Sequence, residues 1–533
     1  HTLGIAAGSG GEGVPQSLPG KYHGMAYESD ICLVANLTSD NHEYVDSARY
    51  DLYTYATDAL GFKYIFDYAD KVGEPCVVSF SEGSREDFGE ENVLFEEVLD
   101  SLTSIPGHII VSSAGNNNLS TYSYAHKPAG VESAGFFSWK WGRHLIYHIA
   151  KSKNPFTFRN TFYYGTSPQV LEVSTAEVLA TPDSTYTTSC EVNGKKYTLT
   201  IGAYNSFLDK DEVCYDWLVQ TEDSNPNPHL GKNPEISFQM IGKEADVEVY
   251  QRIGDICHSS TDPRLNAGEA SHNVNVPASL KSVICVGSTV NHTYSVDTQG
   301  EKQNVVGSPI GSWATYSSVG PSASGLTKPD VMAPGTNVIS SYSSYYEENN
   351  PDNDDVVKSD VARFKYQNRT YAWNSNTGTS MASPVVGGAV ALWLQANPTL
   401  TRQDVLDIIA KTSRPLDTER DVPNNQWGYG LIDVYRGLLA ALRLDGISGV
   451  SHHQPRQAQV GRVGDVLSIK LDQRAEHGFA VILYNTAGIK LLSKAKEKGE
   501  CSYAIDLSGL PAGIYIVQIT GFPAITGSTL IRK

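Results

Sequence analysis

Gly378-Thr379-Ser380-Met381-Ala382-Ser383-Pro384 sets one serine among small residues, directly ahead of the apolar run Val385-Val386-Gly387-Gly388-Ala389-Val390-Ala391-Leu392. The run reads as a buried helix whose glycines permit close packing, so Ser380 falls at its mouth. A nucleophilic serine needs such a place: an exposed hydroxyl, a sharp backbone turn, and N–H groups facing the reacting carbonyl. A plain helix start with a capping serine would be written in the same letters. The rest of the chain has to separate the two readings.

Residues 1–119 alternate strand and helix. Ile31–Ala35 is a short apolar strand by composition, and Tyr55–Val72 carries Ala59, Phe62, Ile65, Phe66 and Ala69 at helical spacing. Pro75–Phe80 is the next strand, a helix follows from about Asn92 to Leu102, and His108–Ser113 is a strand ending in Ala114-Gly115-Asn116-Asn117. Apolar strands separated by helices predict a parallel sheet covered on both faces, that is, a doubly wound α/β fold. Residues 120–255 change rhythm. Tyr197–Gly202 and Val247–Tyr250 alternate, and turn clusters such as Ser224–Pro228 divide them, which predicts an all-β insertion of sandwich type. Helical rhythm returns over 256–445, with a strand at Val283–Gly287, an extended loop at Lys328–Gly335 stiffened by two prolines, and a capped helix starting near Thr401. Residues 446–462 read as a linker. Residues 463–533 read as a C-terminal antiparallel β-sandwich with strands at Val466–Leu471, Ala480–Tyr484 and Gly513–Ile519 and a hairpin turn at Asn485–Gly488.

Composition narrows the function classes. The chain has 533 residues, 19% charged and 40% hydrophobic, enough to bury several cores. A net charge of −18 with no balancing basic patch argues against a nucleic-acid partner. No apolar run approaches the roughly 20 residues of a membrane span. The seven cysteines are scattered without Cys-x-x-Cys spacing, so a zinc site is not expected. Cys76 and Cys285 sit in apolar strand-like runs and read as buried thiols; a Cys190–Cys214 disulfide stays open at this point.

Several separate motifs, in order along residues 1–119 and 256–445, resemble those of the subtilisin-like serine proteases (subtilases). The Ser380 heptamer resembles the nucleophile motif. Val111-Ser112-Ser113-Ala114-Gly115-Asn116 resembles the segment ending in the oxyanion-hole asparagine. That makes Asn116, with the backbone N–H of Ser380, the expected donor to the tetrahedral oxyanion. Ser81-Glu82-Gly83 falls where the family pairs with the substrate backbone, and Ser113-Ala114-Gly115 falls on the other wall of the pocket for the residue preceding the scissile bond. Both are expected to pair with substrate backbone, which small residues suit. Glu82 departs from the usual apolar residue; lining the cleft, it would favour basic or polar side chains, and the other reading is a solvent-facing glutamate. Ala314–Pro321, Lys328–Gly335 and Trp427–Asp433 resemble structural motifs of the family.

The catalytic histidine and aspartate of such a triad are the gap. His1-Thr2-Leu3-Gly4-Ile5-Ala6-Ala7-Gly8 resembles the second half of the family's H-G-T-H-x-x-G motif. In that alignment the catalytic histidine lies three residues upstream of His1, and the aspartate lies on a still earlier strand. The other register makes His1 catalytic, but Gly and Thr do not follow it. The expectation is an N-terminally truncated catalytic domain, inactive and poorly soluble alone, because the family's aspartate strand sits inside the central sheet.

Residues Asp506–Val517 and Leu530–Lys533 resemble the C-terminal sorting domain of type IX secretion cargo, found in Bacteroidetes. The resemblance implies a protein secreted from, or held on the surface of, a Gram-negative bacterium, with the secretion machinery and a protein or peptide substrate as partners. Together these readings describe an exported serine endopeptidase with Ser380 and Asn116 as its catalytic residues in this chain. The alternative is a surface binding protein on an inactive subtilase scaffold. No cofactor is identified from the residues. Calcium enters through the resemblance alone, and the acidic run Asp352–Asp355 reads as a solvated loop.

Overall fold

The structure, a computed structural model, describes residues 1–10, 22–35, 55–84, 93–118, 122–139, 144–207, 209–221, 233–442, 458–471, 479–485, 490–496, 502–511, 514–521 and 525–532. Asn92, the 224–228 turn cluster, residues 446–457 of the expected linker, the 486–488 part of the expected hairpin turn and Cys501 lie outside them. The chain divides into two compact units, His1–Val434 and Tyr435–Lys533.

The first unit is built on a four-stranded sheet in the order Cys76–Phe80, His108–Ser113, Ile284–Thr289, Val331–Pro334, with every pair parallel. His108–Ser113 and Ile284–Thr289 are buried along their whole length, their polar residues included, as central parallel strands covered on both faces are. Cys285 is buried with its strand, whereas Cys76, on the edge strand, is half-buried. Helices Tyr55–Val72 and Val93–Thr103 cover one face through Phe62, Phe66, Phe95 and Leu99, which pack on Val78 and Ile110. The Ser380 helix, Thr379–Ala396, covers the other face. A Cβ on Gly387 would lie 3.3 Å from the Ser79 side chain, and one on Gly388 would lie 2.5 Å from Met25 Cβ, so the two glycines do permit the close approach that their positions suggested.

Two sequence expectations are corrected here. Lys328–Gly335 is not simply a loop: Val331–Pro334 is the fourth sheet strand, held at its entry by the buried Lys328, whose Nζ donates to Asp330 (2.8 Å) and to the Val283 carbonyl (2.8 Å). Pro329 and Pro334 bracket the strand without interrupting its ladder. Conversely, Ile31–Ala35 forms no ladder with any described strand, because apolar composition alone does not make a strand without a neighbour to bond.

The insertion is a sandwich of two antiparallel sheets. Five-stranded and seven-stranded layers enclose Phe136, Phe158, Phe162, Phe238, Tyr197 and Trp217. Inside it, Asn160 accepts from Trp217 Nε1 (2.8 Å) and donates to the Ser237 carbonyl (3.1 Å). Strands Asp255–Cys257 and Gly268–Glu269 carry the sandwich past residue 255. Cys190 and Cys214 are free thiols. They lie opposite Tyr197 and Tyr204, seven residues apart along strand Lys195–Asn205 and on its two sides. At ~3.3 Å per residue that is about 23 Å, beyond any disulfide.

The second unit contains two antiparallel sheets around Leu467, Ile469, Val481, Leu483, Leu507, Tyr515 and Val517. Its first strand, Ala458–Val463, pairs with Val466–Leu471, so residues 458–462 belong to the sandwich rather than to a linker. No described helix is long and apolar enough to cross a membrane.

Candidate active site

Ser380 is the second residue of its helix, and Pro384 explains the local geometry. In an uninterrupted helix the N–H of residue 384 would donate to the Ser380 carbonyl. Proline has no N–H. The carbonyl is left to Ser81, whose Oγ donates to it at 2.9 Å. The bond is returned: Ser380 Oγ donates to the Ser81 carbonyl at 3.0 Å. Ser380 is thus tied by two reciprocal bonds to the end of strand Cys76–Phe80. It stays half-buried.

Asn116 follows strand His108–Ser113 and is exposed. Its Oδ1 accepts from the Thr379 N–H (2.9 Å) and from Thr379 Oγ1 (3.1 Å). Those two bonds fix the amide so that Nδ2 is its remaining donor group. A Cβ at Gly378 would lie 3.1 Å from that Nδ2, which is a steric reason for glycine there. The Ser380 N–H lies in the first helical turn, where intrahelical acceptors are missing and the helix dipole is positive. The Asn116 amide is thus held on the residue preceding Ser380, and an amide donor together with a backbone N–H is a pairing suited to a developing negative oxygen.

The two expected walls behave differently. Gly83 is exposed, and Ser84 forms an antiparallel bridge with Val276. Glu82 is exposed as well. Across from them, Ser113 and Ala114 are buried. The Ala114 N–H donates to Val286 and its carbonyl accepts from Asn275, while the Gly115 N–H donates to Thr379 Oγ1 and its carbonyl accepts from Ser318. Ser113–Gly115 can wall a pocket, but the backbone groups of Ala114 and Gly115 are already engaged, which corrects the expectation that this segment pairs with a substrate strand.

Residues not singled out from sequence complete the support. Asn117 donates to the Asn273 carbonyl (2.9 Å) and to Asn275 Oδ1 (2.6 Å), and Asn273 Oδ1 accepts from the Val319 N–H (2.7 Å). The Asn117 N–H donates to Ser318 Oγ (3.1 Å). The Ala314–Pro321 motif is thereby a brace under the Asn116 turn. Burial pushes the Tyr316 phenol up to about 12, and its hydroxyl donates to the Gly335 carbonyl at 3.1 Å.

His1 does not reach Ser380 by hydrogen bond: its Nε2 bonds the Asn374 carbonyl (2.9 Å). Of the acidic run expected as a loop, Asp354 and Asp355 instead form the first turn of the short helix Asp354–Val357, with Asp354 paired to Lys358. Among the described residues, no three His, Cys, Asp or Glu side chains gather as a metal site.

Residues 256–430 match the subtilase family. This chain contains a subtilase domain. Residues 463–531 match the secretion system C-terminal sorting domain, which marks the chain for export. The chain is 31% identical over 233 residues to serine protease AprX of Bacillus subtilis (strain 168), covering 41% of this chain and 45% of that protein. It is 26% identical over 229 residues to bacillopeptidase F of the same organism, covering 42% of this chain and 14% of that protein. The chain thus spans less than half the length of either relative. In fold it is similar to the Clostridium perfringens CspB protease, with a TM-score of 0.56 at 16% identity over 83% of this chain and 80% of that one.

Proposed function

We propose that the chain is the nucleophile-bearing part of an exported serine endopeptidase. Ser380 Oγ attacks the carbonyl carbon of a peptide bond and gives its proton to an imidazole. Asn116 Nδ2 and the Ser380 N–H hold the oxyanion. The imidazolium then protonates the departing amine, and water hydrolyses the acyl-serine by the same route in reverse. The supporting observation is the fixed Asn116 amide beside a half-buried serine at a helix mouth.

The histidine and aspartate of this triad belong, in our reading, to sequence upstream of His1. A groove of about 1080 Å³ supports this. It runs between Ile31–Val34 and strand Cys76–Phe80 and is lined by Gly387, Gly388 and Ala391 of the Ser380 helix. Neighbouring strands are spaced about 4.7–4.9 Å apart, and the outer edge of Cys76–Phe80 has no ladder partner among the described residues. A strand carrying the aspartate would complete the sheet there. The sorting domain directs the protein through a type IX pathway to the surface or exterior of a Gram-negative cell.

Residues 1–533 expressed alone should be inactive on casein and poorly soluble, and co-expression with the upstream segment should restore both solubility and hydrolysis. Soluble, active protein from residues 1–533 alone would refute the upstream assignment. Upstream sequence lacking an Asp-Ser/Thr-Gly segment and a His-Gly-Thr run before His1 would favour the surface-binding alternative.

A further inference from the structure

The floor between the two pocket walls is made by the segment around Asn275. Val276 bridges Ser84 on one side, and the Asn275 N–H donates to the Ala114 carbonyl (2.8 Å) on the other. The Asn275 side chain rises from this floor between two glycines, one in each wall. A Cβ on Gly83 would lie 3.0 Å from Asn275 Cβ, and one on Gly115 would lie 2.8 Å from Asn275 Cγ and Oδ1. The side chain cannot swing aside cheaply, because the buried Asn117 donates to its Oδ1 at 2.6 Å. Its Nδ2 is directed to the Gly83 side, 3.4 Å from that same Cβ position. Asn275 is half-buried, as a residue facing a cleft would be.

We infer that Asn275 shortens the pocket for the residue preceding the scissile bond and restricts it to small side chains, alanine or serine rather than phenylalanine or leucine. The inference rests on the protease reading and names the substrate class of that site. An aromatic ring would have to displace a pinned amide, whereas a methyl or hydroxymethyl group ends above it. A serine hydroxyl could also accept from Nδ2, which a hydrocarbon cannot.

The test uses the full gene product, including its upstream segment, with four tetrapeptide p-nitroanilides that differ only in their last residue: Ala, Ser, Leu or Phe. Wild type should show kcat/KM for Ala and Ser about tenfold or more above Phe, the scale on which a pocket discriminates by size. Asn275→Gly should raise the Phe-to-Ala ratio of kcat/KM by about tenfold or more. Asn275→Ala keeps Cβ and should give an intermediate gain; it guards against loss of fold, since Asn117 retains its bond to Asn273. Wild-type preference for Phe, or an Ala-to-Phe ratio unmoved in both variants, overturns the inference and leaves the protease reading standing. Absence of both turnover and fluorophosphonate labelling overturns the protease reading and this inference with it.

Discussion

Replacing Thr379 by valine removes one hydroxyl with almost no change of shape. That hydroxyl accepts from the buried Gly115 N–H (3.1 Å) and donates to Asn116 Oδ1 (3.1 Å). Without it the Gly115 N–H has lost its acceptor, which costs about 1–3 kcal/mol of stability. Asn116 keeps its bond from the Thr379 N–H, so it is loosened rather than released. Loss of one neutral hydrogen bond of about 0.5–1.5 kcal/mol should lower kcat about 2- to 12-fold, with KM nearly unchanged. The assay is urea unfolding of the full gene product together with steady-state hydrolysis of a peptide p-nitroanilide. Thr379→Ser restores the hydroxyl and should recover both quantities. A T379V variant with unaltered stability, or one whose kcat falls as far as that of an Asn116 variant, would refute the positioning role drawn here for Thr379.

Asn116→Ala should lower kcat by about 10²–10³-fold at little changed KM, the range known for deleting one oxyanion donor in a subtilisin; stopped-time hydrolysis across substrate concentrations checks it. Burial, then the adjacent Asp360 carboxylate, push Glu347 up to about 7, so the folded state holds a proton that the unfolded chain releases near 4.5. Stability should therefore fall as pH rises from about 4.5 to about 7, and Glu347→Gln should flatten that fall in melting curves run from pH 4 to 8. Burial pushes His148 down to about 3, so the folded insertion keeps it neutral while the unfolded chain protonates near 6.5. Its contribution is lost as pH falls through that window, by about 3–5 kcal/mol at the acid end. His148→Gln should shift the acid-unfolding midpoint to lower pH, and an unmoved midpoint would contradict this.

What was legible in the sequence was local. The Ser380 motif reads directly because helix mouth, small residues and Pro384 are contiguous. The parallel sheet reads from short apolar cores such as Ile109–Val111, alternating with helical spacing as in Tyr55–Val72. The network under Asn116 was not legible, because Asn117 finds its partners at Asn273 and Asn275, more than 150 residues away. Ile31–Ala35 misled for the opposite reason: its composition suits a strand, but strand formation depends on a neighbour. Ala458–Val463 was hidden by its glycine and polar residues, and only its pairing with Val466–Leu471 shows where the second unit's strands begin.

The most direct measurement is the reaction of the full gene product with a fluorophosphonate, followed by peptide mass spectrometry. A single adduct on Ser380, absent from Ser380→Ala and much slower to form in Asn116→Ala, is the expected result. Hydrolysis of peptides by a preparation that carries no adduct on Ser380, or whose Ser380→Ala variant remains active, would contradict it.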